Sequence, residues 1–127
     1  PLFDLYGTLY DYAYQFGFDH QAGGFYEKGF FNKAAHGREK VWWVQAEGLV
    51  SMLHLFQLSN KEQFWQCFMK CLDWIHERQV NWESGEWYER IEPNGQPSPG
   101  RAGSWKSPYH NGRAMIQCLD ILNQLTD

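Results

Sequence analysis

Four stretches of the 127-residue chain repeat apolar residues at the three- and four-residue spacing of a helix. Leu2, Leu5, Tyr6, Leu9, Ala13 and Phe16 form one stripe, which predicts a first helix facing a core. Trp42, Ala46, Leu49, Val50, Leu53 and Phe56 form a second, and Met52, Leu55 and Leu58 occupy other faces of the same helix. That helix is therefore expected to be buried nearly all round. A third stripe, Phe64, Phe68, Cys71, Leu72 and Ile75, follows Ser59-Asn60, a pair suited to capping a helix start. The fourth helix is predicted from about Gly112 to Leu125, with Met115, Cys118, Leu119 and Leu122 inward and Asn111 as its cap.

The links between these helices alternate in length. Helices two and three are joined by a few residues, the length of a helical hairpin turn. The other two links are long and carry strand-like pieces around Asp19 to Glu27 and Asn81 to Glu89. Phe25-Tyr26-Glu27 aligns on Trp87-Tyr88-Glu89 at an offset of 62 residues, and Trp43 aligns on Trp105 at the same offset. The chain thus reads as two copies of one unit: helix, long loop with short β pieces, helix. With both long links at one end, helices two and four should start at a common mouth. Units of this kind do not cover their own apolar faces, and two are fewer than the three or so that such an array needs. Exposed apolar surface is expected, together with self-association or union with further units.

Composition narrows the partners. Aromatic residues make up 18 % of the chain, with 7 Trp, 7 Tyr and 9 Phe, and most of these rings are expected in an aromatic-rich core. Trp and Tyr pair a broad apolar face with a polar tip, which suits sugars and wet pockets. A net charge of −4 without any basic run argues against nucleic acid. No apolar stretch approaches the length of a membrane span, so no membrane is expected either. No signal peptide is expected among these residues, but the chain begins at Pro1 rather than Met, so its natural start is not fixed by this sequence. Three cysteines (Cys67, Cys71 and Cys118) form no disulfide framework, which points to a reducing, cytoplasmic setting. Cys67 and Cys71 lie four apart on an apolar helix without further ligands, so they read as core rather than a zinc site. Gly23-Gly24 is too short for a phosphate loop, and no metal or cofactor is called for.

Two runs carry candidate chemistry, each at a helix start after a long link: Lys40 to Leu49, and Trp105 to Ala114. Helix starts offer N–H groups and a positive dipole end to any developing anion. Trp43 and Glu47 share a face of the second helix. Glu47 is costly there unless paired, and Lys40 and Arg113 are available partners. His110, placed just ahead of the last helix, is a natural proton carrier near neutral pH. His54 and His76 fall inside helices and His20 and His36 in loops, where structural or solvent-facing roles are expected.

These runs resemble the N-acylglucosamine 2-epimerase family, which includes the cellobiose 2-epimerases. The similar segments are Lys40-Val41-Trp42-Trp43-Val44-Gln45-Ala46-Glu47, Gly85-Glu86-Trp87-Tyr88, and Trp105-Lys106-Ser107-Pro108-Tyr109-His110-Asn111-Gly112-Arg113, with a Gly-Gly-Phe loop at Gly23 to Phe25. The resemblance implies an all-α fold, two helical hairpins of an (α/α)6 barrel, with residues 1–127 as its carboxy-terminal third. It implies a sugar 2-epimerase or aldose–ketose isomerase, which moves the proton α to the carbonyl of an open-chain mono- or disaccharide through an enediolate. Two histidines act as acid and base in that family. His110 matches one, and the segment carrying the other has no counterpart in these residues. Trp43, Glu47, Trp105 and Arg113 match substrate-pocket positions, with bracing of the helix as the alternative role for Arg113.

Two further classes compete with this expectation. A glycoside hydrolase on a similar helical toroid would use Glu47 and a second carboxylate such as Glu86. A non-catalytic interaction module is the other, since the family includes a protein known for binding renin and only one of the two histidines is present.

Overall fold

The computed structural model describes residues 1–100 and 102–126. Among them are four α-helices: α1 (Leu2–Phe16), α2 (Trp42–Ser59), α3 (Glu62–Trp74) and α4 (Tyr109–Thr126). A π-helical turn, Ile75–Gln79, continues α3. The long links hold four two-residue strands: β1 (Lys40–Val41), β2 (Val80–Asn81), β3 (Glu86–Trp87) and β4 (Arg90–Ile91). β1 pairs antiparallel with β4, Lys40 opposite Ile91, and β2 pairs antiparallel with β3, Val80 opposite Trp87.

α2 is the hub, as its all-round apolar pattern predicts. Ala46, Leu49, Met52, Leu53 and Leu55 are sealed from solvent between α1, α3 and α4. Its two ends depart from that pattern: Trp43 in the first turn and Leu58 in the last are exposed. Side-chain contacts fix the helix directions. Glu47 near the start of α2 meets His110 and Arg113 near the start of α4, and Gln57 Nε2 donates to Gln124 Oε1 (2.8 Å) toward the far end. α2 and α4 therefore run parallel and start at one mouth. α1 returns antiparallel to α2, with the Tyr6 hydroxyl donating to the carbonyl of Ser51 (3.2 Å) and Phe25 lying against Gly48.

The two units match closely in their hairpins. Phe18 bridges Phe25 as Val80 pairs with Trp87. Tyr26 N donates to Gly17 O and Tyr88 N to Gln79 O, both at 2.8 Å. Gly23 N donates to Asp19 O and Gly85 N to Asn81 O, again both at 2.8 Å. Every one of these pairs is offset by the 62 residues read from the sequence. The offset does not extend into α2 and α4. Trp43 is the second residue of α2, whereas Trp105 lies in the loop four residues before α4. The helix register is instead 67 residues, as the Gln57–Gln124 contact shows, and the five extra residues fall in the link after β4.

Three local expectations are corrected. Asn60 does not open α3. It closes α2 in the left-handed conformation (φ 53°), its N–H donating to Phe56 O, and Lys61 takes the position before α3. Asparagine tolerates that conformation better than other non-glycine residues, so one residue type serves either end of a helix. α4 starts three residues earlier than predicted, and Asn111 is buried inside its first turn instead of capping it. Pro108 precedes Tyr109 and accepts from Gly112 N through its carbonyl, a position where the missing N–H of proline costs nothing.

The third correction concerns which faces are covered. On α1 only Tyr10 is buried, while Leu2, Leu5 and Leu9 of the predicted inward stripe are exposed. On α4 the buried stripe is Asn111, Ala114, Cys118 and Ile121, whereas Leu119 faces out beside Ile116. Both outer helices are apolar on two faces, and these residues supply a neighbour for only one. On α3 Cys67 and Cys71 are buried free thiols, as is Cys118 on α4.

Candidate functional site

A cleft of about 510 Å³ opens at the common mouth of α2 and α4. Trp43, Trp105 and His110 line it together with Glu27, Glu89 and Arg90 from the hairpin links. The alternation of extended chain decides which side chains face this space. On β1 and β4, Val41 and Arg90 face it, while Lys40 and Ile91 border a separate polar hollow behind the ladder. Trp42 N, at the first position of α2, donates to Glu89 O (3.0 Å) and ties the helix start to the second hairpin.

His110 is the second residue of α4 and is half-buried. Its Nδ1 lies 2.7 Å from Glu47 Oε1, and its ring sits 6.1 Å from that of Trp43. Arg113, one turn further along α4, places Nη2 on the same Glu47 oxygen and donates through Nη1 to Gln117 Oε1 (2.8 Å). Partial burial works against the Glu47 charge, but hydrogen bonds from Arg113 and His110 outweigh it and hold the carboxyl below the usual carboxylate range. Its hydrogen bond to Glu47 in turn raises the Arg113 guanidinium. Ionised Glu47 is acceptor only, so the contact assigns the Nδ1 proton to His110 and leaves Nε2 as the position that can take or give a proton.

Glu47 and Arg113, expected at the substrate, are thus joined to each other and to His110, and neither is among the residues lining the cleft. Trp43 and Trp105 do line it, Trp43 part-exposed and Trp105 almost wholly so at 88 %. Glu27, Glu89 and Arg90 escaped the sequence reading. The signal was present, since Glu27 and Glu89 are equivalent under the 62-residue offset and so fall at matching places in the two hairpins.

The remaining polar residues of the Lys40 to Glu47 run are braces. Lys40 Nζ is buried, 2.8 Å from Asp19 Oδ2 and 2.5 Å from Gly23 O, with the faces of Trp74 and Tyr26 beside it. Gln45, sealed from solvent, accepts from Phe25 N and donates to Phe25 O, both at 2.7 Å. Gly24, at φ +77°, is required there because a Cβ would stand 2.8 Å from Gln45 Oε1. In the second unit Lys106 is buried 3.1 Å from Glu86. Three of the other four histidines have structural or surface settings: His20 bonds Tyr14 O (3.0 Å), His36 stacks on Phe30 and His76 packs on Trp82.

Two helical hairpins whose second helices run parallel and bring a histidine, its carboxylate partner and one tryptophan to a common mouth, with a second tryptophan in the loop before α4, make this an all-α protein with a histidine-centred cleft. Residues 6–114 match the N-acylglucosamine 2-epimerase (GlcNAc 2-epimerase) family, and the chain belongs to that family. It is 34 % identical over 90 residues to a cellobiose 2-epimerase from Dictyoglomus turgidum, covering 69 % of this chain and 22 % of the relative. A D-mannose isomerase from Marinomonas mediterranea is 25 % identical over 123 residues, 93 % of this chain and 29 % of that one. A crystal structure of a D-mannose isomerase superposes with a TM-score of 0.81 at 21 % identity, over 93 % of this chain and 30 % of the other. The chain spans about a quarter of the length of the curated relatives it matches.

Proposed function

We propose that the chain is the carboxy-terminal third of an (α/α)6-barrel sugar 2-epimerase or aldose–ketose isomerase in which His110 is one of two proton-transfer groups. The observation that carries this reading is the His110 to Glu47 contact beside Trp43 and Trp105. Glu47 fixes the tautomer, and Nε2 takes the proton from the carbon α to the carbonyl of an open-chain sugar. The bonding pair moves into the enediolate, whose oxygen charge is favoured by the nearby helix starts. The proton returns to the other face for epimerisation, or to the neighbouring carbon for isomerisation. The tryptophans hold the sugar, a mono- or disaccharide with a free reducing end. Glu47 and Arg113 act through His110 as positioning residues. The second proton-transfer histidine belongs to the remainder of the barrel.

A paired-carboxylate hydrolase finds less support. Neither Glu47 nor Glu86 lines the cleft, and both are held below the usual carboxylate range by their donors after burial is overcome, which disfavours a general acid. The exposed Leu2, Leu5 and Leu9 of α1 and Ile116 and Leu119 of α4 are read as surfaces that the remaining barrel helices cover, and that drive self-association of the isolated chain. Free buried thiols fit a cytoplasmic setting. The test is solvent-deuterium incorporation into mannose, glucose and cellobiose by the longer protein carrying this chain. His110→Ala should reduce exchange by at least ~10²-fold, and unchanged exchange would remove His110 from the mechanism.

A further inference from the structure

The segment that carries His110 is anchored on both sides to one carboxylate. Glu86 Oε1, on β3, accepts from Trp87 N (2.6 Å) and from Asn111 Nδ2 (2.9 Å), and lies 3.1 Å from Lys106 Nζ. Lys106 stands four residues before His110 and Asn111 directly after it, so the anchors bracket Ser107, Pro108, Tyr109 and His110. The Lys106 side chain is 1 % exposed and sits over the ring of Trp42 at 5.8 Å, so the β3 hairpin, the first residue of α2 and the start of α4 meet at this cluster. The first unit holds its helix start similarly, through Lys40 and Asp19 (2.8 Å), but there the helix delivers Trp43 to the cleft.

We infer that Glu86 is a positioning residue: through Lys106 and Asn111 it sets where His110 stands between Glu47 and the cleft. The role rests on the proton-transfer reading of His110 and adds to it a residue that never touches the sugar. Charge neutralisation alone does not account for the arrangement, because Lys106 would need only a counter-ion, whereas Asn111 and the Trp87 N–H converge on the same oxygen. The Glu86 carboxyl is kept ionised by these donors, against the effect of its partial burial. Proton transfer depends steeply on placement, and a shift of about 1 Å costs on the order of 10²-fold in rate.

The experiment uses the longer protein carrying this chain. Glu86→Ala combined with Lys106→Met removes the cluster without leaving a buried charge unpaired, and Glu86→Gln keeps an acceptor oxygen for Asn111 and Trp87. The double variant should lower kcat for α-proton exchange at least ~10-fold with KM for the sugar nearly unchanged, while Glu86→Gln retains more of the rate. The nitrogen-15 and Nδ1-proton resonances of His110 should move in the double variant, reporting a changed contact with Glu47. Wild-type kcat and unshifted His110 resonances in the folded double variant would overturn the inference. A wild-type parent that exchanges no sugar proton would sink the proposed function instead, and the His110 resonances would then decide the positioning role alone.

Discussion

The Lys40–Asp19 pair offers the sharpest test of how the first hairpin is held to α2. The two side chains are 7 % and 13 % exposed, so this is a buried ion pair. Asp19 Oδ1 accepts from Gln21 N and Ala22 N at 3.0 Å each, leaving Oδ2 for Lys40. Burial opposes the Asp19 charge, yet those N–H groups and Lys40 hold its carboxyl far below the usual range. Burial also lowers Lys40, the opposite of what pairing alone would do. We take the pair as ionic at neutral pH, because Nζ has a carboxylate, a carbonyl and two aromatic faces around it. Lys40→Met leaves a carboxylate without its cation and Asp19→Asn leaves an ammonium without its anion, and each should cost about 3 to 5 kcal/mol. The double variant keeps the turn, since the side-chain oxygen of the introduced asparagine can still accept from Gln21 N and Ala22 N. The second hairpin already has Asn81 at the equivalent position, its Oδ1 accepting from Glu83 N (3.1 Å). The double should therefore cost less than the sum of the singles by about 2 to 3 kcal/mol. Because the folded-state carboxyl is depressed, the contribution is complete above the unfolded value of about 4 and declines as pH falls below it. Denaturant unfolding of the longer protein, followed by tryptophan fluorescence at pH 7, 5 and 3, measures the coupling. Additive single effects, or a coupling that grows on acidification, would refute the reasoning.

Further outcomes follow from single side chains. Gly24→Ala combines a positive φ with a Cβ 2.8 Å from Gln45 Oε1 and 3.1 Å from Trp74, so a loss of more than ~1 kcal/mol should appear as a lowered melting midpoint. Trp105→Ala, at a residue 88 % exposed, should leave stability within ~0.5 kcal/mol and raise KM for the sugar, as steady-state kinetics of the longer protein would record. Burial pushes the Cys67 and Cys118 thiols up to about 11 and Cys71 higher still, so all three should resist a disulfide-exchange reagent at pH 8 until the protein unfolds. Rapid labelling of the native protein would contradict the buried, protonated assignment.

Helix existence was legible because α2 and α3 bury continuous apolar surface within this chain, and the pattern of a sequence reports burial. Which face of α1 or α4 meets a neighbour was not legible, because both are apolar on two sides and the pattern does not say which side these residues cover. Glu47 could be singled out as a carboxylate on an apolar helix that needed a partner. Its partners could be narrowed but not chosen, since Arg113 and His110 reach it only once α2 and α4 lie parallel. Lys40 finds Asp19 instead, across a hairpin of 21 residues.

The internal repeat shows where sequence alignment and structure part. The 62-residue offset holds for the Phe18–Phe25, Gly17–Tyr26 and Asp19–Gly23 contacts and their counterparts in the second hairpin, but five extra residues after β4 shift the helix register to 67. Under the sequence offset Trp43 corresponds to Trp105. Under the helix register the second residue of α2, Trp43, corresponds to the second residue of α4, which is His110. The longer link thus carries an aromatic residue in the loop and frees the matching helical position for the histidine. One unit delivers a tryptophan and a carboxylate to the mouth, while the other delivers a histidine and an arginine that both meet that carboxylate. The asymmetry between two otherwise equivalent units is what turns a structural repeat into a candidate site.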